Sequence, residues 1–340
     1  MRKTSVLFLQ SILAFFSLKP STASGKLGQC DSNGFIFKNP PFKSCHASTL
    51  TETAEGDILC SWFAGKEEGA SDVAIWISRL KEGKWEDLTL VAKEDKPCWN
   101  PVLFTLNSGE ILLFYKAGSH PQVWSGFLKS SKDHGRTWSV SLDLPAGVIG
   151  PVKNRPLMLE DQTLLCGSSW ESWRRWGCWV DITQDQGKSW MKSNPINVKN
   201  HLFGIIQPAL FFSKNGSIRM VTRSYQIGRI CTAESKDQGR TWSEAKLTNL
   251  PNPNSSVDAI NLQDGRVLLI YNHSETERYP LNLAISEDGG DNWTPSLTLE
   301  SKPGEYSYPC LLQTKDGKIH ISYTWNRIRI KHITINPSDL

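Results

Sequence analysis

Eight residues recur four times along this chain: SKDHGRTW at Ser131–Trp138, TQDQGKSW at Thr183–Trp190, SKDQGRTW at Ser235–Trp242 and SEDGGDNW at Ser286–Trp293. Their aspartates, Asp133, Asp185, Asp237 and Asp288, stand 52, 52 and 51 residues apart. A fixed period near 50 marks one supersecondary unit used repeatedly, which constrains the fold more than any composition does. One period upstream, SRLKEGKW (Ser78–Trp85) keeps the Ser, Gly and Trp but has Leu80 at the Asp position, and reads as a decayed fifth copy.

A second pattern shares the period. An apolar strand, a turn and a second apolar strand begin at His46, Asn100, Arg155, Gln207, Asp258 and Tyr308, and EGD, SGE, NGS, QDGR and KDGK supply Gly-containing hairpin turns. Four of these units have Pro second, where a missing N–H costs little at the start of a strand. Each unit leaves room for two further strands, with the box between the third and the fourth. Six units of four antiparallel strands predict an all-β, six-bladed β-propeller.

The boxes themselves read as architecture. Ser and Asp accept hydrogen bonds from turn N–H groups, Gly supplies a positive φ, and Trp re-enters the sheet to pack. An aspartate repeated around a ring points outward in several directions and cannot converge on one substrate.

The N-terminus has a basic MRK followed by VLFLQSILAFFSL, an apolar run of 13, and then small residues at Ser21-Thr22-Ala23. The run is short for a membrane span, so residues 1–23 are expected to be a cleaved leader and 24–340 a single exported domain, secreted or periplasmic. Without the leader the formal charge falls from +4 to +1. That balance, with no Lys/Arg block, argues against nucleic-acid or anionic-membrane partners. Eight cysteines without a CxxC pair, several within apolar runs such as GDILCSWF, are expected to be mostly buried free thiols, with one or two disulfides left open. The seven His show no HExxH spacing, no GxGxxG follows a strand and no P-loop occurs, so no metal or other cofactor is expected.

The S-x-D-x-G-x-T-W repeat resembles the Asp-box of the sialidase (neuraminidase) superfamily, over about residues 40–335. That resemblance implies a six-bladed propeller acting on an acidic sugar at a glycan end. In such enzymes a Tyr nucleophile is primed by a Glu, a carboxylic acid protonates the leaving group, and three Arg clamp the substrate carboxylate, since guanidinium forks match carboxylates. MVTRSYQIGRI is similar to the segment of the second clamp arginine (Arg223), and ETERYPLNLAISEDGG to that of the third (Arg278). GEYSYP is similar to the nucleophile segment, giving Tyr306 with Tyr308 as competitor. The resemblance places the acid/base loop between the second and third strands of the first unit, in GKEEGASDVAIW, giving Glu68 or Asp72 as its carboxylic acid, with Glu67 a weaker choice.

Two positions depart from the family. The first unit reads His46-Ala47-Ser48 where members carry Arg-Ile-Pro, so His46, Lys116 or Lys153 is left to stand in for the first arginine. Gln207 occupies the place of the priming glutamate, and an amide cannot act as a base. Asn100, Asp258, Trp325 and Tyr308, at strand ends, are further candidates for lining the substrate pocket. Trp170, Trp173, Trp176 and Trp179, with Arg174 and Arg175, suit either stacking on sugars or packing between blades. The chain therefore reads as an exo-glycosidase with a glycan or glycoconjugate substrate. A carbohydrate-binding propeller without catalysis, and a glycosidase or lyase for another uronic-acid glycan, are the alternatives.

Overall fold

The computed structural model describes residues 34–201 and 203–340; the expected leader and Cys30 lie outside them. Six antiparallel sheets follow one another along the chain, each in sequence order from the inside outward. Their innermost strands are Ser44–Glu52, Cys98–Thr105, Leu157–Met158, Ile205–Phe212, Asp258–Asn261 and Tyr306–Gln313. The architecture is a six-bladed β-propeller.

Blade 6 contributes only three strands of its own. The N-terminal segment completes it: Phe35 bridges Lys331, Ile36 N–H donates to the Ile330 carbonyl at 3.0 Å, and His332 N–H donates to that of Gly34 at 2.7 Å. The two ends of the chain thereby close the ring and cover an edge that would otherwise expose unpaired N–H and C=O groups.

The boxes do what their residue types dictate. In the first, Asp133 Oδ1 accepts from the backbone of Arg136 and Thr137 while Oδ2 accepts from the Thr137 hydroxyl, and Ser131 Oγ accepts from Gly135 N–H. Asp185 and Asp288 repeat the pattern, and hydrogen bonds from the turn hold their carboxyls down at about 2, against the opposing effect of burial. Gly135, Gly187, Gly239 and Gly290 have φ between 84° and 98°. A Cβ there would meet Leu59, Leu128, Leu165 or Phe211 of the preceding blade at 2.5–2.8 Å. Each box glycine is thus both a turn residue and the point where a box presses on its neighbour.

Between the blades lie apolar seams. Leu59, Phe63 and Ile75 of blade 1 pack with Leu103, Leu113 and Tyr115 of blade 2, and Leu268 and Leu283 of blade 5 pack with Leu311 and Tyr323 of blade 6. Each fully buried side chain of this size contributes about 1.5–3 kcal/mol. All seven cysteines among the described residues are free and buried. No helix among the described residues is long and apolar enough to cross a membrane.

Candidate active site

Four inner strands carry the same irregularity. Register shifts between His46/Thr49, Trp99/Val102, Ile206/Ala209 and Ser307/Cys310 coincide with positive φ at Ala47 (57°), Asn100 (38°), Gln207 (57°) and Tyr308 (50°). These are β-bulges, which re-aim side chains at the end of a strand. The hairpin turns give the equivalent residue in every blade. Thr53, Leu106, Leu159, Ser213, Leu262 and Thr314 each open a turn with the same pair of backbone hydrogen bonds. Six residues before them stand Ala47, Asn100, Lys153, Gln207, Ser256 and Tyr308, all buried around the axis.

This ring corrects the expected unit starts in three blades. His46 precedes the bulge in blade 1. Arg155 lies further down the axis, lining a cavity with Thr53, Asn107 and Lys315 at the opposite mouth. Asp258 turns its carboxylate toward blade 6, accepting from Leu311 N–H at 2.8 Å and Ala259 N–H at 2.9 Å, and burial pushes its pKa up.

The bulges bring Gln207, Arg223 and Tyr308 together. Arg223 Nη1 donates to the Tyr308 hydroxyl at 2.9 Å and to Gln207 Oε1 at 3.4 Å, while its Nε donates to Asn254 Oδ1 at 2.6 Å. Gln207 Nε2 donates to the same hydroxyl at 3.1 Å. Because guanidinium is donor-only, it fixes which end of the amide faces it. Trp176, stacked on Tyr225 at 4.8 Å, flanks the guanidinium, whose carbon lies 5.7 Å from the indole.

Beside this group stands a second one. Arg278 Nη1 donates to Glu305 Oε1 at 2.7 Å, and Arg327 Nε donates to both Glu305 oxygens at 2.9 Å. Arg327 Nη1 also pairs with Glu68. Burial works to raise the Glu305 carboxyl, but Arg327 and then Arg278 outweigh it and the net direction is down. Arg327 belongs to a turn whose central residues, Asn326 (50°) and Arg327 (58°), both have positive φ, a conformation that costs a non-Gly residue about 1–2 kcal/mol. Asn326 Oδ1 accepts from Glu305 N–H at 2.8 Å, and the Arg327 carbonyl accepts from Cys45 N–H at 2.8 Å, which holds the turn against the site.

His46 is buried among these cations, 4.2 Å from the Tyr308 ring centroid, and neither of its ring nitrogens has a hydrogen-bond partner among the described residues. Burial first, then the charges of Arg327, Arg278, Arg223 and Lys153, drive its pKa well below 6.5. It is therefore neutral at pH 7, and the third cation of the site is Arg327.

The other sequence candidates sit elsewhere. Lys116 Nζ donates to the carbonyls of Asn100 (3.3 Å) and Pro151, and burial lowers it to about 7. Lys153 reaches across the axis to the Pro309 carbonyl and the Asn154 side chain. Asn100 Nδ2 donates to the Val152 carbonyl at 3.2 Å. Tyr306 lies in the seam of blades 5 and 6, 6.5 Å from Tyr323. Trp325 stacks edge-on against Phe35. Asp72 is exposed, and its carboxylate accepts from Lys66 N–H at 3.0 and 3.2 Å, closing its own loop.

Arg327, Glu305 and Asn254 were absent from the residues proposed for the site from sequence. The signal available for Arg327 was the first of two arginines in TWNRIRI, directly after Asn326. Glu171, at the end of the second strand of blade 3 (Leu164–Glu171), is half-buried, and its carboxyl makes no hydrogen bond or ion pair among the described residues. Burial raises its pKa, with Arg223 opposing and Glu68 reinforcing.

Comparisons with known proteins agree with the propeller. Residues 56–321 match the BNR repeat-like domain family. No curated protein sequence matches the chain. Among solved structures, a protein of unknown function from Dyadobacter fermentans superposes with a TM-score of 0.76 at 18% identity, over 90% of this chain and 98% of that one. The NanB sialidase from Streptococcus pneumoniae superposes with a TM-score of 0.74 at 15% identity, over 91% and 71%. A leech intramolecular trans-sialidase gives 0.72 at 13%, over 94% and 72%. At these identities the likeness is one of fold. The chain belongs to the BNR repeat-like family, built on the sialidase propeller.

Proposed function

We propose that this protein is an exported glycoside hydrolase that releases a terminal acidic sugar, sialic acid or a relative, from glycans or glycoconjugates. The observation that carries the proposal is Arg223: a buried guanidinium whose hydrogen-bond partners among the described residues, Asn254, Gln207 and Tyr308, are all neutral. An unpaired buried charge costs several kcal/mol, so a site that keeps one is built for an anion. Arg278 and Arg327 stand beside it with Glu305 and Glu68 as ion-pair partners. Three guanidiniums against two paired carboxylates leave one positive charge, which suits one sugar carboxylate.

Tyr308 is the proposed nucleophile or stabiliser of the anomeric carbon. Two donors, Arg223 and Gln207, aim at its oxygen, so negative charge developing there is met by a guanidinium and an amide. The sialidase neighbours support the choice of sugar. Gln207 favours a second reading, a glycan-binding propeller without turnover, because no base among the described residues touches the Tyr308 hydroxyl.

A panel of fluorogenic sialosides, uronides and neutral hexosides decides between these. Turnover of an acid-sugar glycoside that disappears in Arg223→Met is the expected result. Calorimetric binding of acidic glycans without turnover selects the second reading, and turnover confined to neutral glycosides sinks both.

A further inference from the structure

The glycosidase reading leaves open which group protonates the departing oxygen. Asp72 closes its own loop at Lys66 N–H, and Glu68 is engaged by Arg327. Glu171 has neither kind of engagement. Side chains two apart on a strand share a face, and Ser169, two residues before it, accepts from Gln207 N–H at 3.2 Å. Glu171 therefore faces blade 4 and Arg223. Its cross-strand partner Trp176 carries the indole that flanks Arg223.

Building on that reading, we propose that Glu171 is the general acid of this site, giving its carboxyl proton to the glycosidic oxygen of the leaving group. As the bond between the anomeric carbon and that oxygen breaks, the proton passes from Glu171 to the oxygen and leaves a carboxylate. Water then supplies hydroxyl to the anomeric carbon and returns a proton to Glu171, so sugar acid and alcohol are the products. Glu68 and Glu171 are two acids set apart by their surroundings, one held in an ion pair with Arg327 and the other half-buried at the end of its strand. The charged groups acting on Glu171 are Arg223 from blade 4 and Glu68 from the blade 1 loop. Arg174 and Arg175, on the turn after it, are exposed. A protonated Glu171 also preserves the single positive charge that receives the substrate; ionised, it would cancel that charge.

The test compares two glycosides of the same acidic sugar, one with a sugar alcohol as leaving group and one with 4-nitrophenol, which departs without protonation. Glu171→Gln is expected to lose roughly 10²–10⁴-fold in kcat/KM on the first and to stay within about tenfold on the second. The fall of kcat/KM at high pH should vanish in the variant. Because a folding defect lowers both substrates together, the ratio between them is the readout. Equal losses on both, persistence of the basic limb, or the selective loss appearing in Glu68→Gln or Asp72→Asn instead would overturn the assignment while leaving the glycosidase reading standing. A wild-type protein inactive on both glycosides would remove the glycosidase reading, and this role with it.

Discussion

Arg223 and Tyr308, 85 residues apart in sequence, meet at 2.9 Å across the propeller axis. One comes from the second strand of blade 4 and the other from the bulge of blade 6. Their contact ties a guanidinium without an ion-pair partner among the described residues to the hydroxyl that the blade 6 bulge presents.

Removing that cation is expected to separate stability from function. Arg223→Met should abolish acid-sugar binding, by at least about 100-fold in Kd or kcat/KM, while its melting temperature equals or exceeds that of wild type without ligand, since an uncompensated buried charge is destabilising. A melting temperature lowered by many degrees would contradict this account of the site.

The two tyrosines of the YSY run should respond differently. Tyr308→Phe removes the oxygen on which Arg223 and Gln207 converge, and is expected to lower kcat by 100-fold or more with KM changed only a few-fold. The Tyr306 ring is packed against Tyr323, so Tyr306→Phe should keep activity within about threefold. Steady-state kinetics on one acidic glycoside distinguishes them, and a reversed order would move the nucleophile.

Gln207→Glu places a carboxylate against Arg223. The pocket then loses its net positive charge, so KM for an acidic glycoside should rise at least tenfold. The same carboxylate can take the Tyr308 proton, so kcat should rise a few-fold. An unchanged KM would mean that Arg223 does not receive the sugar acid.

Acid sensitivity should arise in blade 6. His320 Nδ1 and His332 Nε2 lie 3.0 Å apart and are buried, with pKa values lowered from 6.5 to about 4 and about 3, chiefly by burial. Both are neutral when folded and protonate near 6.5 when unfolded. The stability they carry is present above pH 6.5 and is lost as pH falls from there toward 4 and 3. Each excluded proton gives a slope of about 1.4 kcal/mol per pH unit. His46, driven well below 6.5 as well, adds a third excluded proton, so urea unfolding between pH 6.5 and 4.5 should show the slope reduced by about a third in His332→Phe.

The scaffold was readable because the boxes repeat, and each copy tells the same turn chemistry. The phase of the inner strands was readable wherever Pro follows the bulge, at Asn100-Pro101, Gln207-Pro208 and Tyr308-Pro309. In blade 1 Ser48 stands in place of that Pro, and the unit start shifts from Ala47 to His46. Tyr306 and Tyr308 would share a face in a regular strand; the bulge between Ser307 and Cys310 sends them apart, and alternation alone cannot foresee it. Arg327 was hidden for another reason. Its place depends on a turn pinned by Asn326 and Glu305, a contact between residues that no repeat marks.

The pairing of Phe35 with Lys331 sets an order of events during synthesis. Residues 34–36 precede blade 1, yet their strand partner (Arg329–Ile335) is made after blades 1–5, so the ring stays open and that seam unsealed until blade 6 has been synthesised. Any helper that shields nascent chains has its longest task here, and truncation within the final sixth would leave both ends of the circle unjoined.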